Sequence, residues 1–306
     1  MVIFADTAST YAAFGLRVRS AIDLPELPRL ADDGSDNDIT IEQGHVPAHL
    51  AGAVALDPGM QVAGECFQLD VPPARYAVSR GRLIVVDPRP GAVAEDVRRY
   101  LFGTVMGALC HQRGPAPLHA AAVLVGGRAV GLAGVSGSGK STLAAQLQSR
   151  GRTVVADDLC AVDLRAGCEP WALPGLPRIK LWPESPALPG ATNEPAAART
   201  GRDHKITLPV TGAAAMRASP LWRLYILRPE DAGAVRIRRL SGPDAVAATL
   251  AQVYRWPIAV AMGRAPARFA QCVAIARRCE IFDVGFAHDT LAPLALLDTL
   301  EKHMEP

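Results

Sequence analysis

The chain has 306 residues, 49% hydrophobic and 20% charged, which allows a sizeable core and, at about 150 residues per domain, two domains. A formal net charge of +2 is too small to select nucleic acid or an anionic membrane as a partner, and the composition excludes global disorder. Cys66, Cys110, Cys160, Cys168, Cys272 and Cys279 form no C-x-x-C pair, so they are expected to be reduced, buried and structural rather than disulfide-bonded or zinc-binding.

The first residues, Met1 to Asp6, lack a basic region and a long apolar run, so no signal peptide is expected. No stretch of about 18 uncharged apolar residues follows. A cytoplasmic protein without a membrane partner is the expectation. Residues 1–90 read as a β-rich domain. Phe14–Arg19 and Asp38–Glu42 alternate apolar and polar residues, with a proline-rich connector from Leu24 to Asp36 between them. Cys66–Val71, Arg75–Val78 and Arg82–Val86 follow, and Ser79-Arg80-Gly81 is a hairpin turn between the last two.

Residues 91–114 predict a linking helix, since Val93, Val97, Leu101, Val105 and Leu109 recur every four residues before Gly114-Pro115 ends the pattern. From 115 to 306 strands and helices alternate. Leu118–Val125 and Arg128–Ala133 form a hairpin around Gly126-Gly127. Lys140–Arg150 is a helix stopped by Gly151. Thr153–Asp158 is a strand with Cys160–Leu164 as its hairpin partner. Trp171–Leu208 is irregular and proline-rich. Leu221–Leu227 and Val235–Leu240 read as antiparallel strands, Glu280–Val284 as a strand, and 245–254, 266–278 and 291–303 as helices.

The residues that carry chemistry sit in the middle of the chain. Gly134-Val-Ser136-Gly137-Ser138-Gly139-Lys140-Ser141, followed by Thr142, fits the pattern G-x-x-x-x-G-K-[ST] at every fixed position. Glycines let successive backbone N–H groups converge on phosphate oxygens. Lys140 would lie on the β- and γ-phosphates of ATP, the Ser141 hydroxyl on Mg²⁺, and the helix N-terminus behind both. The flanking strand and helix supply the context that the pattern needs. A glycine-rich turn that binds nothing is the bland alternative.

Asp157 and Asp158 come only 17 and 18 residues after Lys140, a strand–loop–helix–strand unit that returns two carboxylates to the sheet edge beside the phosphate loop. One could accept a proton from a hydroxyl nucleophile while the other orients the metal or its water, or either could merely cap a turn. His119 precedes the phosphate-loop strand. It is either a core histidine or a hydrogen-bond partner that tunes one of the acids.

His119, Gly134–Ser141 and Val154-Val-Ala-Asp-Asp158 stand in the order seen in the HPr kinase/phosphorylase superfamily, whose catalytic domain is related to phosphoenolpyruvate carboxykinases. The chain resembles this family closely over about residues 115–165 and more weakly to its C-terminus. The longer arrangement, with His111-Gln-Arg-Gly114 and Lys180-Leu-Trp-Pro183, is similar to HPr-kinase-related proteins of lasso-peptide tailoring clusters.

The resemblance implies an α/β (α+β) phosphate-loop kinase domain behind a β-rich N-terminal domain, ATP and Mg²⁺ as cofactors, and a serine of a peptide or protein as acceptor. A small-molecule kinase and a non-catalytic nucleotide-binding module are the alternatives, and self-association is left open. It assigns phosphate and metal contacts to Gly134, Gly137, Gly139, Lys140 and Ser141, the base to Asp157, the metal side to Asp158, and support of Asp157 to His119. The family's Glu-x-Arg-Gly-type segment is replaced here by Leu173–Lys180, with an Arg and no matching Glu, which argues against HPr as substrate and against phosphorylase activity. Arg178, Lys180, Arg199, Arg202 and Lys205 are candidate phosphate or substrate contacts on the following loop.

Overall fold

In the computed structural model, residues 4–57, 59–183, 185, 187, 205–210, 213–231, 233–287 and 292–305 are described. The fold is mixed α/β, rich in strands, and divides into two compact units: residues 1–117 with 253–271, and residues 118–252 with 272–306. The stretch expected as a linking helix therefore falls inside the first unit, together with a segment from the expected catalytic region.

The first unit holds an eight-stranded sheet made of β1 (Phe4–Ala13), β2 (Leu16–Ile22), β3 (Ile39–Gln43), β4 (Val54–Asp57), β5 (Met60–Ala63), β6 (Cys66–Val71), β7 (Ala74–Ser79) and β8 (Leu83–Pro88). Its order is β1-β2-β3-β8-β7-β6-β5-β4. Alternation sets the buried face: Ala74, Tyr76 and Val78 of β7 and Ile84 and Val86 of β8 are fully buried. Arg80 and Gly81, at φ 51° and 64°, make the tight turn that twist-matched hairpins need. The strand expected from Phe14 is interrupted there, because Phe14 and Gly15 both take positive φ and form the β1–β2 turn.

Helix α1 (Ala94–Tyr100) passes through a π-helical turn, 101–105, into α2 (Met106–Arg113), which Gly114 closes at φ 123°. A Cβ on Gly107 would come within 2.7 Å of the Tyr254 ring, so this position of α2 admits only glycine at such proximity. Arg268 is 2% exposed and donates to the carbonyls of Cys110 and His111 at the end of α2, where a cation is favoured by the exposed carbonyl dipoles.

Beyond β9 (Ala116–Leu118) lie β10 (Ala120–Val125), β11 (Arg128–Gly134), α3 (Lys140–Ser149), β12 (Val154–Ala156), β13 (Cys160–Arg165), β14 (Glu169–Ala172), β15 (Arg178–Leu181), β16 (Ile206–Pro209), β17 (Ser219–Glu230) and β18 (Arg236–Leu240). Then come α4 (Gly242–Leu250), α5 (Trp256–Ala261), α6 (Ala265–Arg278), β19 (Glu280–Ala287) and α7 (Ala292–Met304). The second unit's main sheet runs β12-β10-β11-β17-β14-β13, with β19 also paired to β17 and β18 to β19. Its core gathers Val123, Leu132, Leu143, Leu147, Tyr225, Phe282, Leu297 and Leu300.

Two pairings and one irregular stretch differ from the sequence expectation. β12 pairs with β10 rather than with β13, which pairs with β14. β17 and β18 are not direct neighbours, because β19 lies between them, parallel to one and antiparallel to the other. The stretch expected to be irregular contains β14 and the separate β15–β16 ribbon. Local patterns mark strands, but which strand completes which edge depends on distant segments.

Candidate active site

Register brings the site together. β10 and β11 are antiparallel with Ala120 opposite Ala133, so His119 arrives beside Gly134, where the glycine loop begins. β12 lies on the other side of β10 with Ala156 opposite Ala122, so the two acids emerge next to the same strand end. The acids follow the strand rather than ending it. Asp158 has φ 69°, a left-handed conformation that aspartate tolerates better than most residues and that often marks functional turns.

The loop from Gly134 to Gly139 is bent by three glycines at φ 144°, 86° and 88°. A Cβ on Gly134 would stand 2.6 Å from the Leu227 carbonyl oxygen and 2.8 Å from Ser138 Oγ, so no side chain fits. Gly137 and Gly139 face open space, and only their φ requires glycine there. Gly139 caps α3, which starts at Lys140. Ser136 and Thr142 complete the set expected around the loop, and Thr142 Oγ1 lies 3.2 Å from Ser185 Oγ.

Lys140 is 6% exposed, and its ammonium donates to the carbonyls of Gly134 (2.8 Å) and Val135 (2.9 Å). Burial pulls its pKa down to about 8, opposed by the charges of Asp158 and Asp157. Ser141 Oγ donates to Asp157 Oδ1 at 2.7 Å, and the Lys180 amide donates to Asp157 Oδ2 at 2.9 Å. Both oxygens of this buried carboxyl are therefore engaged. Burial pushes its pKa up to about 6, against the lowering effect of these two hydrogen bonds.

Asp158 is the more accessible acid, its side chain 44% exposed. His119 Nδ1 is 3.0 Å from the Asp158 carbonyl oxygen and 3.4 Å from its carboxylate. Because a carbonyl only accepts, Nδ1 carries the proton. Burial and the Lys140 charge lower the His119 pKa, so the ring is neutral. The residue pattern left either acid open and the resemblance implied Asp157; the His119 ring lies beside Asp158.

The residues present suit a triphosphate and Mg²⁺. Ser138 Oγ is buried without a hydrogen-bond partner inside the glycine loop, an orphaned hydroxyl that an anionic ligand would satisfy. Ser141 Oγ, oriented by its hydrogen bond to Asp157, keeps lone pairs that suit an ion taking only one or two protein ligands beside phosphate oxygens and water. Among the described residues no group of three or more His, Cys, Asp or Glu could hold a metal by itself.

Arg178 is buried on β15, Lys180 follows on the same strand, and Lys205 is exposed just before β16. Arg199 and Arg202 lie outside the described residues. Sequence reasoning did not single out Trp182, whose ring has the Lys205 ammonium 5.0 Å from its centre. Only the β15–β16 register, which sets Leu181 opposite Ile206, reveals that pair. Four cysteines are buried as expected, but Cys66 is half-buried and Cys168 is exposed.

No protein-family model and no curated protein matches the chain by sequence. Among solved structures it is similar to the Hpr(Ser) kinase/phosphatase from Coxiella burnetii, at 14% identity and a TM-score of 0.34, covering 61% of this chain and 89% of that one. Among the described residues no helix is long and apolar enough to cross a membrane.

Proposed function

We propose that this chain is an ATP- and Mg²⁺-dependent kinase that phosphorylates a serine hydroxyl of a peptide or protein. The observation that carries the reading is the 2.7 Å Ser141–Asp157 contact at the mouth of a glycine loop fitting the phosphate-loop pattern. Backbone amides of 134–140 and the α3 N-terminus bind the phosphates, and Lys140 exchanges its loop carbonyls for phosphate oxygens. Mg²⁺, when bound, neutralises charge on the β- and γ-phosphates, and Ser141 with Asp157 would hold it.

Asp157 is poorly suited to take the acceptor's proton, because it is buried and both its oxygens are engaged. Asp158 is reachable from solvent and lies against neutral His119, so in this reading Asp158 is the base and His119 orients it. This reverses the roles that the sequence resemblance implied. A lasso-peptide precursor, the acceptor class suggested by that resemblance, is the first candidate to try.

Transfer from labelled ATP to serine peptides and to hydroxyl metabolites tests the assignment. Peptide labelling that Lys140→Ala abolishes supports it. Labelling of metabolites alone makes the chain a small-molecule kinase. ATP binding with no transfer to any acceptor makes it a nucleotide-binding module.

A further inference from the structure

We propose that Lys205 is a mobile cation held on the face of Trp182 in the resting enzyme and delivered to the transferring phosphoryl group. The proposal rests on the kinase reading above. The β15–β16 ribbon is anchored to the site by its backbone, since the Lys180 amide donates to Asp157 Oδ2. Lys180 pairs with Thr207 and Leu181 with Ile206, so Lys205 comes opposite Trp182, two positions along the ribbon from that anchor. Two strand residues span about 7 Å, a distance the long, flexible lysine stem can bridge.

Of the charges acting on Lys140, Asp157 and His119, that of Lys205 is the weakest, which puts its ammonium within electrostatic reach of the glycine loop but not against it. Bringing this second ammonium up to buried Lys140 is unfavourable unless anionic charge separates the two, as phosphates would. The indole gives the exposed ammonium only a weak cation–π resting place, its nitrogen 5.0 Å from the ring centre. An ionic contact with a phosphoryl oxygen exceeds that, so the lysine leaves the ring when phosphate charge builds up. Trp182 is thus a positioning residue: it keeps Lys205 ordered beside the cradle without capturing it.

The test compares MgADP with MgADP plus aluminium fluoride, a mimic of the planar phosphoryl group, by calorimetry on the full chain. Lys205→Gln is expected to weaken the fluoride complex by about 10²-fold while MgADP affinity stays within about threefold, and Lys205→Arg is expected to restore the complex. Formation of the complex should also change tryptophan emission in the wild type but not in Lys205→Gln or Trp182→Phe. Equal affinities in Lys205→Gln and wild type, or equal losses for both ligands, overturn the proposal. Failure of the wild type itself to bind MgADP would instead overturn the nucleotide reading and take this proposal with it.

Discussion

At the scale of single residues, the division of labour between adjacent acids follows from what each carboxyl touches. Asp158→Asn is expected to leave MgATP affinity nearly unchanged and to cut transfer by about 10²–10⁴-fold, whereas Asp157→Asn should raise the Mg²⁺ concentration needed for binding. Titration calorimetry over a Mg²⁺ series with a labelled-transfer assay separates the two, and the opposite pattern would restore the roles implied by resemblance. Gly134→Ala should destabilise by about 1–3 kcal/mol and abolish nucleotide binding, because the new methyl group meets the Leu227 carbonyl oxygen. A variant with unchanged melting and affinity would mean that the loop relaxes freely.

At the scale of elements, α3 is held by its apolar face as much as by its glycine cap. Leu143, Ala144 and Leu147 are buried in the core of the second unit. Leu147→Ala, a cavity beneath the helix, is expected to cost about 2–5 kcal/mol in denaturant unfolding. In the first unit, α2 carries a buried histidine in its last turn. Burial pushes the pKa of His111 down to about 4, and its Nε2 is bonded to the Tyr254 carbonyl oxygen. An unfolded histidine titrates near about 6.5. Between those values the unfolded chain binds a proton that the folded chain refuses. This contribution is therefore complete above about pH 6.5, is lost as pH falls, and levels off below about pH 4, for a total of about 3 kcal/mol. Unfolding curves across that range should show this slope in the wild type and lose it in His111→Gln; the same slope in both would sink the assignment.

At the scale of the whole molecule, nucleotide binding must appear as stability, since a ligand that binds only the folded form stabilises it by mass action. MgATP at about 100 times its dissociation constant should add about 2.7 kcal/mol to unfolding, and Lys140→Ala should abolish the gain. Scanning calorimetry with and without MgATP measures it, and an equal gain in the variant would place the nucleotide elsewhere.

The amino-acid sequence determined the glycine loop, the helix behind it, the acid pair close downstream and most strand positions. Those features are local: φ preferences of glycine, apolar periodicity and capping act within a few residues. The tertiary structure decided the rest. It placed β19 between β17 and β18, paired β12 with β10, and grouped residues 253–271 with the N-terminal sheet. It also turned His119 towards Asp158 and closed Asp157 onto Ser141, distinctions between neighbouring carboxylates that no spacing encodes. Edge pairing and side-chain direction depend on which distant segments bury one another, and that free energy belongs to the packed chain rather than to any stretch of it.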